Sequence, residues 1–133
     1  MYLPPSQHRM DKMMSRMIIA YSNKNKLFCQ IHVRTKLLEK DKAQDFFLPL
    51  KKSSTTYLAQ LSAEGEDVVR SLAEVDGLHR IGVNLYCLSL HLSPVFTWEE
   101  VIDEIIVIVK DECYLDKEVE VMYTTIEELY STE

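Results

Sequence analysis

A chain of 133 residues, 47% hydrophobic and 27% charged, has the size and composition of one globular domain able to bury a core without disulfide staples. No uninterrupted apolar run approaches the roughly 18 to 20 residues that a membrane helix needs, so a soluble protein with no membrane partner is expected. The net charge of −6 is unevenly spread: residues 1–52 hold 11 Lys and Arg against 4 Asp and Glu, and residues 53–133 hold 4 against 17. Such asymmetry points to a basic nucleic-acid face, to an acidic protein-binding face, or to two halves that offset each other within one fold. The basic residues are not interleaved with aromatics, so nucleic acid is not an expected partner.

Taken in chain order, residues 1–16 read as an N-terminal extension. They lack the apolar stretch of a secretory signal. Met10, Met13, Met14 and Met17 fall at helical spacing among Arg9, Lys12 and Arg16, which keeps an organelle presequence as the alternative to a cytoplasmic location. A domain over residues 17–115 follows, with a strand and helix extension over 116–133.

Asn23 and Asn25 precede a clean alternation in which Leu27, Cys29, Ile31 and Val33 share one face and Phe28, Gln30, His32 and Arg34 the other, the period of a half-buried strand. "KLLEKDKAQDFF" predicts a short helix limited by Pro49, and "STTYLAQL" has the β-branched and aromatic content of a second strand. In "EGEDVVRSLAEVDG" the stripe Val68, Val69, Leu72, Ala73 and Val75 predicts a helix stopped at Gly77. "LHRIGVNLYCLSLHL" predicts a hairpin turning at Gly82, Val83 and Asn84. Thr97 and Glu100 form a capping box before Val101, Ile102, Ile105, Ile106 and Val109, which marks the principal core helix, with Val107 and Ile108 widening its apolar stripe. "EVEVMY" predicts a last strand, and Thr125 with Glu128 a short terminal helix. Together these define an α+β fold: a single domain with a mixed, mostly antiparallel sheet and helices mainly on one face.

Three cysteines, Cys29, Cys87 and Cys113, are odd in number and widely spaced, which fits a reducing cytoplasm and neither a disulfide framework nor a close-spaced zinc motif. Strand phase directs Cys29 into the core and Cys87 outward, and Cys113 lies beyond the core helix, so one chain does not gather the several thiolates an iron–sulfur cluster needs. Cys87 and His91 share a face but lie roughly 13 Å apart along an extended strand, too far for one zinc ion. His32 and His91 read as solvent-side strand residues. There is no G-x-S-x-G, no Walker loop and no dinucleotide fingerprint. No catalytic residue, cofactor or metal ligand is therefore expected, and Glu99, Glu100, Asp103 and Glu104 read as a solvated helix face.

The stretch "NKNKL" followed by a strand resembles the Asn-Pro-Asn-x-Leu stretch that opens the N-terminal domain of Nfu/NifU-type iron–sulfur scaffold proteins. The likeness continues through a helix ending in Val75, Asp76 and Gly77, a hairpin carrying Gly82, Val83, Asn84 and Leu85, and a helix opened by Trp98, over about residues 20–112. Lys24 stands where the family has proline and Leu85 where an aromatic is usual; the family's cluster-bearing C-x-x-C belongs to a separate domain and does not occur here. The resemblance implies a non-enzymatic protein-docking or accessory module in iron–sulfur cluster assembly or delivery, with scaffold or client proteins as partners and no catalytic residue. Asn23, Asn25, Asn84 and Trp98 are its candidate contact residues. The rival reading, from charge alone, is an acidic immunity-type inhibitor of a basic partner acting through Glu100, Asp103 and Glu104.

Overall fold

The computed structural model describes residues 15–114 and 118–131. Six strands, β1 (Arg16–Tyr21), β2 (Phe28–His32), β3 (Gln44–Phe47), β4 (Leu78–Val83), β5 (Cys87–Leu92) and β6 (Glu120–Thr125), form one sheet in the order β3-β4-β5-β2-β1-β6. All neighbours are antiparallel except β1 and β6, which run parallel. The helices are α1 (Thr55–Leu58), α2 (Ala63–Leu72), α3 (Trp98–Cys113) and α4 (Ile126–Leu129). This is the expected α+β domain with a mixed, mostly antiparallel sheet. The segment read as a possible presequence lies outside the described residues except for its last members, and of these Met17 is a fully buried residue of β1.

Alternation places the core. Met17 and Ile19 of β1, Cys29 and Ile31 of β2, Ile81 and Val83 of β4, and Leu88, Leu90 and Leu92 of β5 all point to one face. There they join Val68, Val69 and Leu72 of α2 and Val101, Ile102, Ile105, Ile106 and Val109 of α3 in a single apolar cluster. Helix α3 begins as its sequence predicts, with the Thr97 backbone N–H donating to Glu100 Oε1 at 2.7 Å. Val107 is 56% exposed, so the apolar stripe is narrower than its neighbours in sequence imply.

Four local expectations are corrected. Residues 36–47 form no helix: Leu37 and Leu38 are buried in an extended stretch, Leu38 bridges to Leu61, and Gln44–Phe47 is an edge strand with Gln44 and Phe46 inward and Asp45 and Phe47 outward. "STTYLAQL" is helical rather than extended, a 3-10 turn over Lys52–Ser54 running into α1. Thr55, Thr56 and Tyr57 all lie in solvent and Leu58 alone of α1 is buried, so the segment offers no alternating apolar face on which its β propensity could act. The hairpin turns two residues later than predicted: Asn84 N–H donates to Cys87 O at 2.8 Å, while Gly82 lies within β4 facing Ser89. Helix α2 ends at Leu72, and Gly77 stands five residues on, in a turn of its own at φ 102°. There a methyl group would sit 2.8 Å from the Phe96 ring, so close packing and a left-handed backbone both demand glycine.

Candidate functional site

The turn between β1 and β2 is built by side chains that replace missing backbone partners. Ser22 Oγ accepts from the N–H groups of Lys24 (3.2 Å) and Asn25 (2.9 Å), and Asn25 Oδ1 accepts from Leu27 N–H at 3.0 Å. Asn25 is thus a turn former, the role short polar side chains serve well. Asn23 contributes its backbone N–H, which donates to Glu127 Oε1 at 3.0 Å and holds that carboxyl below the ordinary range.

Trp98, the first residue of α3, closes over this turn from the helix side. Its indole Nε1 donates to Lys26 O at 2.8 Å, and its ring lies 6.2 Å from that of Tyr21. Tyr21 in turn stacks on Tyr123 of β6 at 6.4 Å with the rings within 5° of parallel. Burial pushes the Tyr21 phenol up to about 12, with smaller contributions from Cys29, Tyr123, Asp103 and Glu99. Asn23, Asn25, Trp98 and Asp103 therefore belong to one corner of the molecule, completed by Tyr21, Tyr123 and Glu127. Tyr123 is 59% exposed, which makes the corner an aromatic surface with polar margins. Sequence reasoning did not single out Tyr21 and Tyr123. Their signal lay in the pairing of two distant segments, β1 with β6.

Of the other candidates, Asn84 lies far from this corner and the acidic ones lie along α3. Asn84 is at the opposite end of the sheet, where the β4–β5 turn meets the end of β2 through Val33 N–H bonded to Tyr86 O at 2.9 Å. Glu100 is engaged in capping its own helix. Asp103 and Glu104 are exposed on α3. Together, α2 and α3 carry nine carboxylates against Arg70 and Lys110. Among the described residues the ion pairs are Arg70 with Glu66 and Arg80 with Asp45, so no described basic residue of the first half neutralises this helical layer by direct pairing.

The cysteines separate as strand phase predicts. Cys29 is fully buried and Cys113 is 8% exposed at the end of α3, while Cys87 is half-buried on the sheet face opposite the core. Burial pushes the thiols of Cys29 and Cys113 up to about 12 and that of Cys87 to about 11. Cys87 does not meet His91. His91 instead contacts the rings of Phe28 (4.9 Å) and His79 (6.1 Å), and burial, Arg80 and His79 lower its pKa. Its cross-strand neighbour Arg80 lies over the Phe47 ring and pairs with Asp45. No group of three or more His, Cys, Asp or Glu able to hold a metal ion occurs among the described residues. None of the helices described is long and apolar enough to cross a membrane.

This architecture defines a class, an α+β domain with two helices packed on one face of a six-stranded mixed sheet. The crystal structure of protein SAV1430 from Staphylococcus aureus is similar over 68% of this chain and 92% of its own, with a TM-score of 0.50 at 13% sequence identity, a likeness of fold alone. No protein-family model and no curated protein matches the sequence.

Proposed function

We propose that this chain is a non-enzymatic protein-docking module, an accessory of iron–sulfur cluster assembly or delivery similar to the N-terminal domain of Nfu/NifU-type scaffold proteins. One observation supports the reading: two widely separated parts of that resemblance, the Asn23/Asn25 turn and the Trp98 helix start, meet in space through the Trp98 bond to Lys26 O. They frame an aromatic corner in which Tyr123 is exposed and Tyr21 and Trp98 are partly buried behind it, residue types that dominate binding energy at protein interfaces.

The test is binding of purified iron–sulfur scaffold and cluster-receiving apoproteins to the immobilised chain, with and without Tyr123→Ala. At least one of these proteins is expected to bind saturably, and the substitution to weaken binding by about tenfold or more, the cost of removing an aromatic anchor. Absence of binding to every such protein removes the iron–sulfur assignment. Binding that is indifferent to Tyr123→Ala moves the contact surface away from this corner.

A second reading, an acidic inhibitor of a basic partner, draws on the helical layer with nine carboxylates and two cations. It predicts that partner capture from native cells falls steeply with added salt and is abolished by Asp103→Lys with Glu104→Lys. Glu100 is left intact in that variant because it caps α3. Capture unchanged by both treatments rules the acidic surface out.

A further inference from the structure

The sheet face opposite the core gathers a thiol, an imidazole, an amide and a phenol from three distant parts of the chain. Cys87 of β5 and His32 of β2 are direct cross-strand partners. The Cys87 Sγ lies 3.8 Å from His32 Nε2, and the same nitrogen lies 3.0 Å from Gln30 Oε1. Tyr130, just past α4, completes the group: its hydroxyl donates to Gln30 Oε1 at 3.0 Å and its ring lies 6.2 Å from that of His32.

The geometry points to a zinc-binding site formed by Cys87 and His32. An ion about 2.3 Å from a thiolate sulfur and about 2.0 to 2.1 Å from an imidazole nitrogen holds those donors roughly 3.5 Å apart at the tetrahedral angle. The observed separation needs only a few tenths of an ångström of adjustment, within the reach of a side-chain rotation. One sulfur and one nitrogen donor select zinc over magnesium or calcium, which prefer all-oxygen sites. Gln30 Oε1 and the Tyr130 hydroxyl stand beside the pair as oxygen donors, and water supplies what they do not. Cys87 and His32 are both half-buried, so an ion reaches them from solvent while Tyr130 screens one side. With two strong protein donors the site binds more weakly than a structural zinc centre with four. It lies on the opposite face of β2 from the core and shares no residue with the docking corner, so it stands or falls independently of the proposed function.

The experiment uses the rate at which a thiol reagent labels the folded protein, which reports Cys87 because Cys29 is fully buried and Cys113 is only 8% exposed. Zinc ion at micromolar concentration is expected to slow labelling, and a chelator to restore it. His32→Ala should weaken this protection by at least about tenfold, a loss typical even of groups that only orient a ligand. His91→Ala, on the same face but bonded elsewhere, should leave protection intact. Direct zinc titration should show the same loss for Cys87→Ser, with thermal unfolding confirming that each variant is folded. Labelling unchanged by zinc shows that thiol and imidazole merely hydrogen-bond and overturns the proposal. Protection that survives in His32→Ala places the ion elsewhere and overturns it equally.

Discussion

Replacing Gly65 by alanine is expected to destabilise the protein by about 1 to 3 kcal/mol, the cost of forcing extra atoms into a packed interior. By propensity alone the sign would be the reverse, because alanine within a helix is favoured over glycine by about 1 kcal/mol. The reason lies in how α2 approaches its neighbour. A methyl group at Gly65 would sit 2.1 Å from the Leu37 carbonyl oxygen and 3.0 Å from its carbonyl carbon, both main-chain atoms that cannot swing away. The same approach lets Ser62, the N-cap of α2, accept from Gly65 N–H at 2.9 Å and donate to Lys36 O at 2.7 Å, while its own N–H bonds Leu37 O. Denaturant unfolding of Gly65→Ala decides the matter, with Gly82→Ala as the milder comparison because its methyl group would meet nothing closer than Ser89 Cβ at 3.3 Å. A Gly65→Ala protein as stable as the parent would show that α2 does not lie this close to the 36–38 segment.

Tyr114→Phe is the second change with a large expected effect, about 1 to 2 kcal/mol for a substitution that removes a single oxygen. Tyr114 is 5% exposed, and burial pushes its phenol up to about 12. The hydroxyl donates to Arg16 O and accepts from Arg34 N–H at 3.3 Å, tying the first residue of β1 to the chain just past β2 at the end of α3. Phenylalanine keeps the ring's apolar packing but strands two main-chain groups, and an unmet partner costs more than an average hydrogen bond contributes. Unfolding should shift by that amount, and exchange of the Arg34 amide hydrogen should accelerate. Tyr57→Phe, at a tyrosine 55% exposed, should leave stability unchanged. Equal stability of the two variants would mean that water satisfies Arg16 and Arg34 without help.

Legibility followed periodicity. β2 and β5 each bury one face and half-expose the other, so their alternation was plain and the inward phase of Cys29 and outward phase of Cys87 could be read directly. The Thr97–Glu100 signal marked the start of α3 because the bond that makes it is local. By contrast β1, "RMIIAY", carries no strand signal of its own: Ala20 is buried although it faces away from Ile19, so the apolar run shows no clean alternation. The 36–47 stretch misled for a related reason. Leu37 and Leu38 are adjacent and both fully buried, which suits neither period and depends on the segment being sandwiched by α2 and the Leu61 bridge.

Local patterning carried which face of each strongly patterned element is apolar, and hence a single α+β domain with its two main helices on the sheet's core side. Such patterns are local, and they hold whatever partner finally covers them. Which residues meet was decided only by the tertiary structure. Asn25 and Trp98, 73 positions apart, share a corner because the β1–β2 turn comes under the start of α3, whereas Asn84, equally prominent in the resemblance, lies at the other end of the sheet. Cys87 found His32 rather than His91 because adjacent strands bring side chains about 5 Å apart while four residues along one strand separate them by roughly 13 Å. Register of this kind emerges from the summed pairing of whole strands and the packing of both faces, and no short stretch of the chain carries it.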